Sequence, residues 1–495
     1  MKSYKIFVFL LAMIFFAIPS FAKKAEIVVT SQSDFDAIML ALKSKLKEGN
    51  TEVDILLKSG VYSFTERHID FDKLYYPNAT VRILGENASV VSQGRMTKEF
   101  DPLASYFDNR GNFCEFESRM KMASSSPETV DAEKGIYKIS LPEKPRKASS
   151  GFIYLTMWYR GLPFRILSTK GNEVYFKVED ITLAPGTFSP DWDLKYGKVN
   201  PRYKLINTGK NRLKTARFKC ENSTFLSCTN CLLKGLVVSG VRFIGNKYDP
   251  SEERKKGLIR LYCCNVGSTL IENCDFRNIQ TDCINITQVH NVTVRSCVFE
   301  DCYRSCVFSH RGTKVTCVMD NTISRCGKCG DNVQLVTCQG EDFVVRHNSI
   351  SDFGYGAISA GVHYSSGKVG DVTGIISDNE IFQTSGYFKD APMNLLMDGG
   401  AIYILTQNDN VVIEKNYIHD ISGPRDNRGI FCDDGTCNVD IKENRIERIA
   451  NSFCIDLRLV LSVETEERSK VRRVNVGNSI SDNVVDGPVR FERHP

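Results

Sequence analysis

Three short segments of this chain concentrate the side chains that could do chemistry. MDGGAIYIL, residues 397–405, carries Asp398 and Tyr403. RGIFCDDG, residues 428–435, carries Phe431, Asp433 and Asp434. SFCIDLRL, residues 452–459, carries Asp456 and Arg458. A fourth segment, GYGAISAGVHY, adds Tyr355 and His363. Carboxylates beside aromatic rings suit a sugar, because the ring stacks on the aromatic face and the carboxylates bond hydroxyls or move protons. Hydrolysing a glycosidic bond takes two carboxyl groups, one protonated and one ionised, on opposite sides of that bond. Two nearby like charges raise one of the two pKa values and so supply the acid. Asp398 and Asp433 stand among the carboxylates that such a patch would bring together. Tyr403, Phe431, Asp434, Arg458, His363 and Asp456 are the candidate substrate-binding residues.

Such residues can meet only if something stacks their segments, and the sequence supplies a repeat. An Asn followed two residues later by an apolar position recurs at Asn273, Asn321, Asn348, Asn379, Asn416, Asn444 and Asn483. Ser296 and Gly240 take the same place in RSCVF and VSGVRF. The unit of roughly two dozen residues, lengthened by insertions, fits the coil of a solenoid. The strand before each mark alternates apolar and polar residues, as in VVIEKN and NVDIKEN. Leucine-rich repeats also stack Asn, but their L-x-x-L-x-L frame is absent. The fold expected is all-β: a right-handed parallel β-helix, pectate-lyase-like, with an N-terminal helical cap and an inserted β-rich subdomain. Asn tolerates the left-handed backbone a tight turn needs. Stacked inside successive coils, its amide can also bond the next Asn, so the Asn column is scaffolding.

The repeat fixes a register. Aligning Ile402 with Ile430 and Ile455 sets Tyr403 beside Phe431 and Asp456, and Leu405 beside Asp433 and Arg458. The isoleucines point inward, so Tyr403, Phe431 and Asp433 should point out. Plainer roles compete. Asp-Gly is a common turn sequence, which covers Asp434. Asp433 could pair with Arg458, His363 could be a loop residue, and His419, beside an Asn mark, reads as structural.

The rest of the chain frames this site. Residues 1–22 hold Lys2 and Lys5, an apolar run from Ile6 to Ile18, and a small-x-small site at Ser20-Phe21-Ala22. That is the pattern of a cleaved signal peptide, which points to a secreted or periplasmic protein with no membrane partner after cleavage. Residues 23–95 read as an N-terminal cap and first coils, with a helix over Ser33–Lys47 that Ser33 would cap, followed by the strand pair of VDILLKSGVYSF. Residues 96–215 read as the inserted subdomain and 216–495 as the β-helix. A net charge of +5 across 495 residues is too diffuse for nucleic acid as the main partner. The partner expected is a carbohydrate polymer or oligosaccharide.

The 18 cysteines fall mostly within strand-like stretches. Cys228/Cys231 and Cys326/Cys329 are each spaced C-x-x-C, yet they lie far apart with no matching His pair. Buried thiols with some disulfides fit better than zinc. No cofactor or metal is expected.

The segments DGGAIYILTQNDNVVIEKNYIHDISG and GIFCDDGTCNVDIKENRI resemble parallel β-helix glycoside hydrolases. They are most similar to the glycoside hydrolase family 141 group, which includes fucosidase and xylanase activities. The resemblance implies Asp398 and Asp433 as catalytic carboxylates. DILLKSGVY and MWYRGLPFRI resemble that group's opener and inserted subdomain. Phe431 departs from its usual Tyr and Cys432 from an aliphatic, and the doubled Asp433-Asp434 leaves the second carboxylate open. Two alternatives stand beside hydrolysis. A uronate-directed polysaccharide lyase would use the basic stretch Arg304, His310, Arg311 and Lys314, and calcium enters only with that reading. A non-catalytic glycan-binding or surface β-helix is the other.

Overall fold

The computed structural model describes residues 23–63, 69–91, 95–97, 121–125, 127–131, 134–145, 151–157, 160–177, 202–207, 217–219, 224–245, 257–279, 281–327, 333–361, 372–384, 399–405, 408–421, 427–433, 436–450, 452–457 and 477–491. The proposed signal segment 1–22 lies outside them. Among the described residues no helix is long and apolar enough to cross a membrane.

Parallel pairing between successive coils dominates. An 11-stranded sheet runs the length of the solenoid, and a 21-stranded sheet follows it as two tracks. Each track buries one column of aliphatic side chains. Ile376, Ile413, Ile441 and Ile480 stack in the first track. Ile350, Ile381, Ile418 and Ile446 stack in the second. Ile358, Ile402, Ile430 and Ile455 stack in the 11-stranded sheet. Like sits on like because coils repeat in register about 4.8 Å apart, the spacing of paired strands. β-branched residues suit such columns, since they pack well on a pleated surface. Phe243, Phe276 and Phe299 extend the pattern, with ring centroids 5.1 and 4.7 Å apart.

The turn between the two tracks divides its work between two successive residues. Asp320, His347, Asp378, Lys415, Glu443 and Asp482 hold the left-handed backbone, with φ between 53° and 58°. The Asn that follows each of them points inward. Asn348 donates through Nδ2 to Asn379 Oδ1 at 2.9 Å, and Asn379 to Asn416 Oδ1 at 2.9 Å. The ladder runs from Asn321 to Asn483. This corrects two sequence assignments. Asn273 and Ser296 are the left-handed residues, at φ 52° each, and the inward places belong to Cys274 and Cys297. Their thiols donate to Val238 O and Ile271 O at 3.7 Å, as the ladder amides donate to backbone carbonyls of the preceding coil. Sequence spacing favoured Asn273 because Asn satisfies either role. Gly240, at φ 71°, also belongs to the left-handed column.

The first coil is closed by helical segments Gln32–Asp36 and Ile38–Lys47. Their buried Phe35, Ile38, Leu42 and Leu46 join the solenoid core. The N-cap is Ser31 rather than Ser33. Its hydroxyl accepts from Asp34 N, and Asp34 Oδ2 accepts from Ser31 N at 3.1 Å, a reciprocal capping box. Ala37 then divides the expected single helix in two.

Strands Lys121–Met122, Arg202–Asn207, Gly151–Met157, Arg160–Lys170, Glu173–Lys177, Ile136–Ser140 and Glu128–Asp131 form a separate antiparallel sheet, in that order. It has its own core, including Ile139, Ile153, Phe164 and Phe176. Arg95–Thr97 and Arg217–Lys219 pair antiparallel on either side of it in sequence.

Fifteen cysteines fall among the described residues and all are free thiols, so the expected disulfides are absent there. Cys228 and Cys231 are both buried thiols, and Cys329 lies outside the described residues. Burial pushes Cys338 up to about 12 and Cys454 up to about 11, which keeps both protonated at neutral pH.

Candidate functional site

The register expected from sequence is the one observed. Ile402 pairs with Ile430, Tyr403 with Phe431 and Leu405 with Asp433. Ile430 then pairs with Ile455 and Phe431 with Asp456. The column of outward positions along the 11-stranded sheet therefore reads Ser359, Tyr403, Phe431, Asp456 and Arg490.

Strict alternation would put Arg428, Ile430 and Cys432 on one face. Instead the strand Asn427–Asp433 turns a corner. A Cβ added to Gly429 would lie 2.7 Å from Ile446 Cγ2 in the core, and Ile430 is also in the core. Two successive residues thus face inward, and Arg428 emerges on the side of Phe431. Its guanidinium carbon sits 3.8 Å from the Phe431 ring centroid. Gly400, the partner of Arg428 one coil earlier, leaves room for Phe431, since a Cβ there would come within 3.0 Å of Phe431 Cβ. The Gly-Gly of the 397–405 segment is thus a packing requirement.

These contacts set up a short relay of groups. Tyr403 Oη donates to Asp433 Oδ2 at 2.8 Å. The Tyr403 ring meets Phe431 edge-on at 5.2 Å and lies 5.9 Å from Tyr355. Arg428 Nε donates to Asp456 Oδ2 at 2.6 Å, and Arg490 donates through Nε and Nη2 to both oxygens of Asp456, each at 2.6 Å. Asp456 is 0% exposed and Arg428 2%. A buried charge survives only when it is paired and hydrogen-bonded, and Asp456 meets both conditions.

The expectation that Asp456 binds substrate is therefore corrected. Its oxygens are taken by two guanidinium groups, so it holds Arg428 in place over Phe431. Tyr403, Phe431 and Asp433 do project from the outer side of the sheet, as expected, but all three are buried. Phe431 is the floor beneath Arg428 rather than an open stacking surface. Asp433 and Tyr403 remain the pair with oxygen atoms facing one another. Asp398, Asp434, Arg458 and His363 lie outside the described residues.

Sequence reasoning missed Arg428 and Arg490. Arg428 is legible in sequence only as the first letter of its segment, and strict alternation alone would set it on the inner face with Ile430. Arg490 stands in the last described strand, Val489–Phe491, whose pairing with Ile455–Leu457 sequence spacing did not reveal. His419 belongs to scaffolding: Nδ1 lies 2.6 Å from Asp420 Oδ2, and its ring is stacked between Phe382 and Tyr417 at 5.1 and 4.2 Å. Among the described residues no group of three or more His, Cys, Asp or Glu could hold a metal ion.

Comparison with known proteins bears on this architecture. Residues 222–391 match the family model of the right handed beta helix region. The fold is the right-handed parallel β-helix. A solved structure of a glycoside hydrolase is similar over 93% of this chain and 96% of its own, with a TM-score of 0.53 at 12% identity. That likeness establishes fold alone. The complex of XylC with xylose aligns over 88% of this chain and 80% of its own, with a TM-score of 0.31 at 10% identity. The Gp54 tailspike of Acinetobacter baumannii bacteriophage AP22, in complex with capsular saccharide, aligns over 86% of this chain and 75% of its own, with a TM-score of 0.24 at 9% identity. No curated protein sequence matches the chain.

Proposed function

We propose that this β-helix is a secreted glycoside hydrolase of the family 141 type, acting on a complex polysaccharide or oligosaccharide. The observation that carries the reading is the Tyr403 to Asp433 hydrogen bond at 2.8 Å, on the outer side of the sheet and beside an aromatic and guanidinium cluster. A carboxylate fixed by a phenolic donor is oriented for one of two tasks, attack on an anomeric carbon or activation of water. Tyr403 holds the Asp433 carboxylate in one rotamer. Arg428, fixed by Asp456, lies over Phe431, whose ring meets that of Tyr403 edge-on.

Asp398 is the proposed partner acid. It precedes Gly399, which pairs with Asn427 at the far end of the strand from Asp433. Six residues of straight strand would span about 20 Å, too far for carboxyl groups that must sit about 5–9.5 Å apart. As the partner acid, Asp398 must close that path by reaching back along the outer face. Tyr355 bridges it: a Cβ on Gly399 would lie 3.4 Å from Tyr355 Cδ2, and the Tyr355 ring lies 5.9 Å from that of Tyr403. Asp434, next to Asp433 in the chain, is the competing candidate.

The lyase reading draws less support. Arg304 Nε lies 3.5 Å from Asp282, and Lys314 Nζ 2.9 Å from Glu341, so two members of the basic stretch already face carboxylates.

The test is reducing-sugar release from xylan, pectin and fucosylated glycans, read together with ultraviolet absorbance. Hydrolysis releases reducing ends without new absorbance. Asp433→Asn and Asp398→Asn should each lower turnover roughly 10²–10⁴-fold. Asp434→Asn should be much milder. A new absorbing product would establish a lyase instead. Near-normal turnover in Asp433→Asn would sink the assignment.

A further inference from the structure

A second cluster on the same outer face lies several coils before Asp433. Strands Gly257–Tyr262, Asp282–Thr287 and Val307–Ser309 pair in parallel and in register. Arg260 pairs with Asn285, which pairs with Phe308. Tyr262 pairs with Thr287, and His310 follows in line, with its N–H donating to Ile286 O at 2.8 Å. Each coil therefore presents two outward side chains: Arg260 and Tyr262, Asn285 and Thr287, Phe308 and His310.

Their chemistry differs from that of the Asp433 cluster. Tyr262 is 38% exposed, a large aromatic left open to water. The Arg260 guanidinium carbon lies 4.9 Å from its ring centroid. Phe308 and His310 are half-buried, with ring centroids 4.2 Å apart. The only carboxylate on these three strands, Asp282, is buried 3.5 Å from Arg304 Nε. Among the described residues, no carboxylate lies within ion-pair distance of Arg260 or of Arg311, the residue after His310. The face thus offers aromatic surface together with guanidinium charge that no described carboxylate neutralises.

We propose that Arg260, Tyr262, Phe308 and His310 form a second glycan-binding platform, one that takes an acidic polysaccharide chain. Sugar rings lie flat on aromatic faces, and a planar guanidinium matches a carboxylate or sulfate with two parallel hydrogen bonds. A chain running along the solenoid axis meets a fresh pair of side chains about every 4.8 Å. The platform is separated from Tyr403 by two coils whose outward residues, Thr337 and Ser359, are small and buried. It is therefore a site of its own. A polynucleotide fits less well, because neutralising successive phosphates requires a line of cations. The inference rests on the reading of this protein as carbohydrate-directed, but not on the role of Asp433.

The full-length protein is run in native gels cast with polygalacturonate, dextran sulfate or neutral dextran. Retardation in an acidic gel and not in dextran is expected, and whichever of the two acidic gels retards identifies the anion. Tyr262→Ala combined with Phe308→Ala should weaken retardation roughly tenfold, whereas Tyr262→Phe should preserve it. Arg260→Gln, a surface change that spares the fold, should weaken it too. Asp433→Asn should migrate as the wild type does even where it abolishes turnover, which separates this proposal from the catalytic one. Unaltered retardation of both the double variant and Arg260→Gln, equal retardation in dextran, no retardation in either acidic gel, or displacement by a single-stranded oligonucleotide in preference to polygalacturonate would each overturn it.

Discussion

At the scale of single residues, the deciding feature is a carboxylate that serves its neighbours. Asp456 is a buried acid between Arg428, itself buried, and Arg490, which is 30% exposed. Removing one partner of a fully buried ion pair leaves an uncompensated charge and costs about 3–5 kcal/mol. Asp456→Ala should therefore destabilise the protein by about that much, since it leaves Arg428 buried without its counter-ion. Arg490→Ala should cost only about 1 kcal/mol, because water reaches that side of the pair. Urea unfolding of the two variants checks this. Equal losses would mean that Asp456 is not the anchor of Arg428.

At the scale of elements, the turn between the two tracks carries the specificity of the coil. Asn379 donates to Val345 O and Asn416 Oδ1, and accepts from the backbone and side-chain nitrogens of Asn348, all at 2.9 to 3.0 Å. Asn379→Ala leaves several buried polar atoms without partners, and should cost about 3 kcal/mol. Asn483 ends the ladder where water can replace lost bonds, so Asn483→Ala should cost about 1 kcal/mol. Thermal melting of both variants gives the comparison, and a larger loss at Asn483 would contradict it. The left-handed residue before each Asn explains why charged residues such as Lys415 and Glu443 stand there. They need only tolerate the backbone, and their side chains leave for solvent.

At the scale of the whole molecule, two cores lie in one chain. The solenoid core runs from the helical cap to the last coils, and the antiparallel sheet keeps a separate core of its own. A solenoid is held by contacts between neighbouring coils, so its stability does not depend on an element that adds no coil. Strand pairing resumes after the antiparallel sheet, where Leu226 pairs with Ile69 and Leu232 with Tyr75. Replacing residues 98–216 by a short glycine and serine linker should leave a folded β-helix with a single cooperative melt and undiminished β signal by circular dichroism. Loss of that melt would show that the antiparallel sheet is needed to set the first coils.

Repetition made the fold legible in the sequence. A period of two along each strand, and an Asn mark once per coil, impose the same physical demand many times over, so one misassigned coil such as that of Asn273 does not change the answer. The pairing of Tyr403 with Phe431 and of Leu405 with Asp433 followed from that period alone. What the sequence could not state was how each outward side chain is satisfied. Asp456 and Asp433 look alike as letters. Only the corner at Gly429, which turns Arg428 toward Phe431, and the return of Arg490 one coil later separate the acid that is locked in place from the acid held by a tyrosine. Both depend on which side-chain atoms meet between coils roughly 30 residues apart, and the repeat encodes the register between coils but not those atomic contacts.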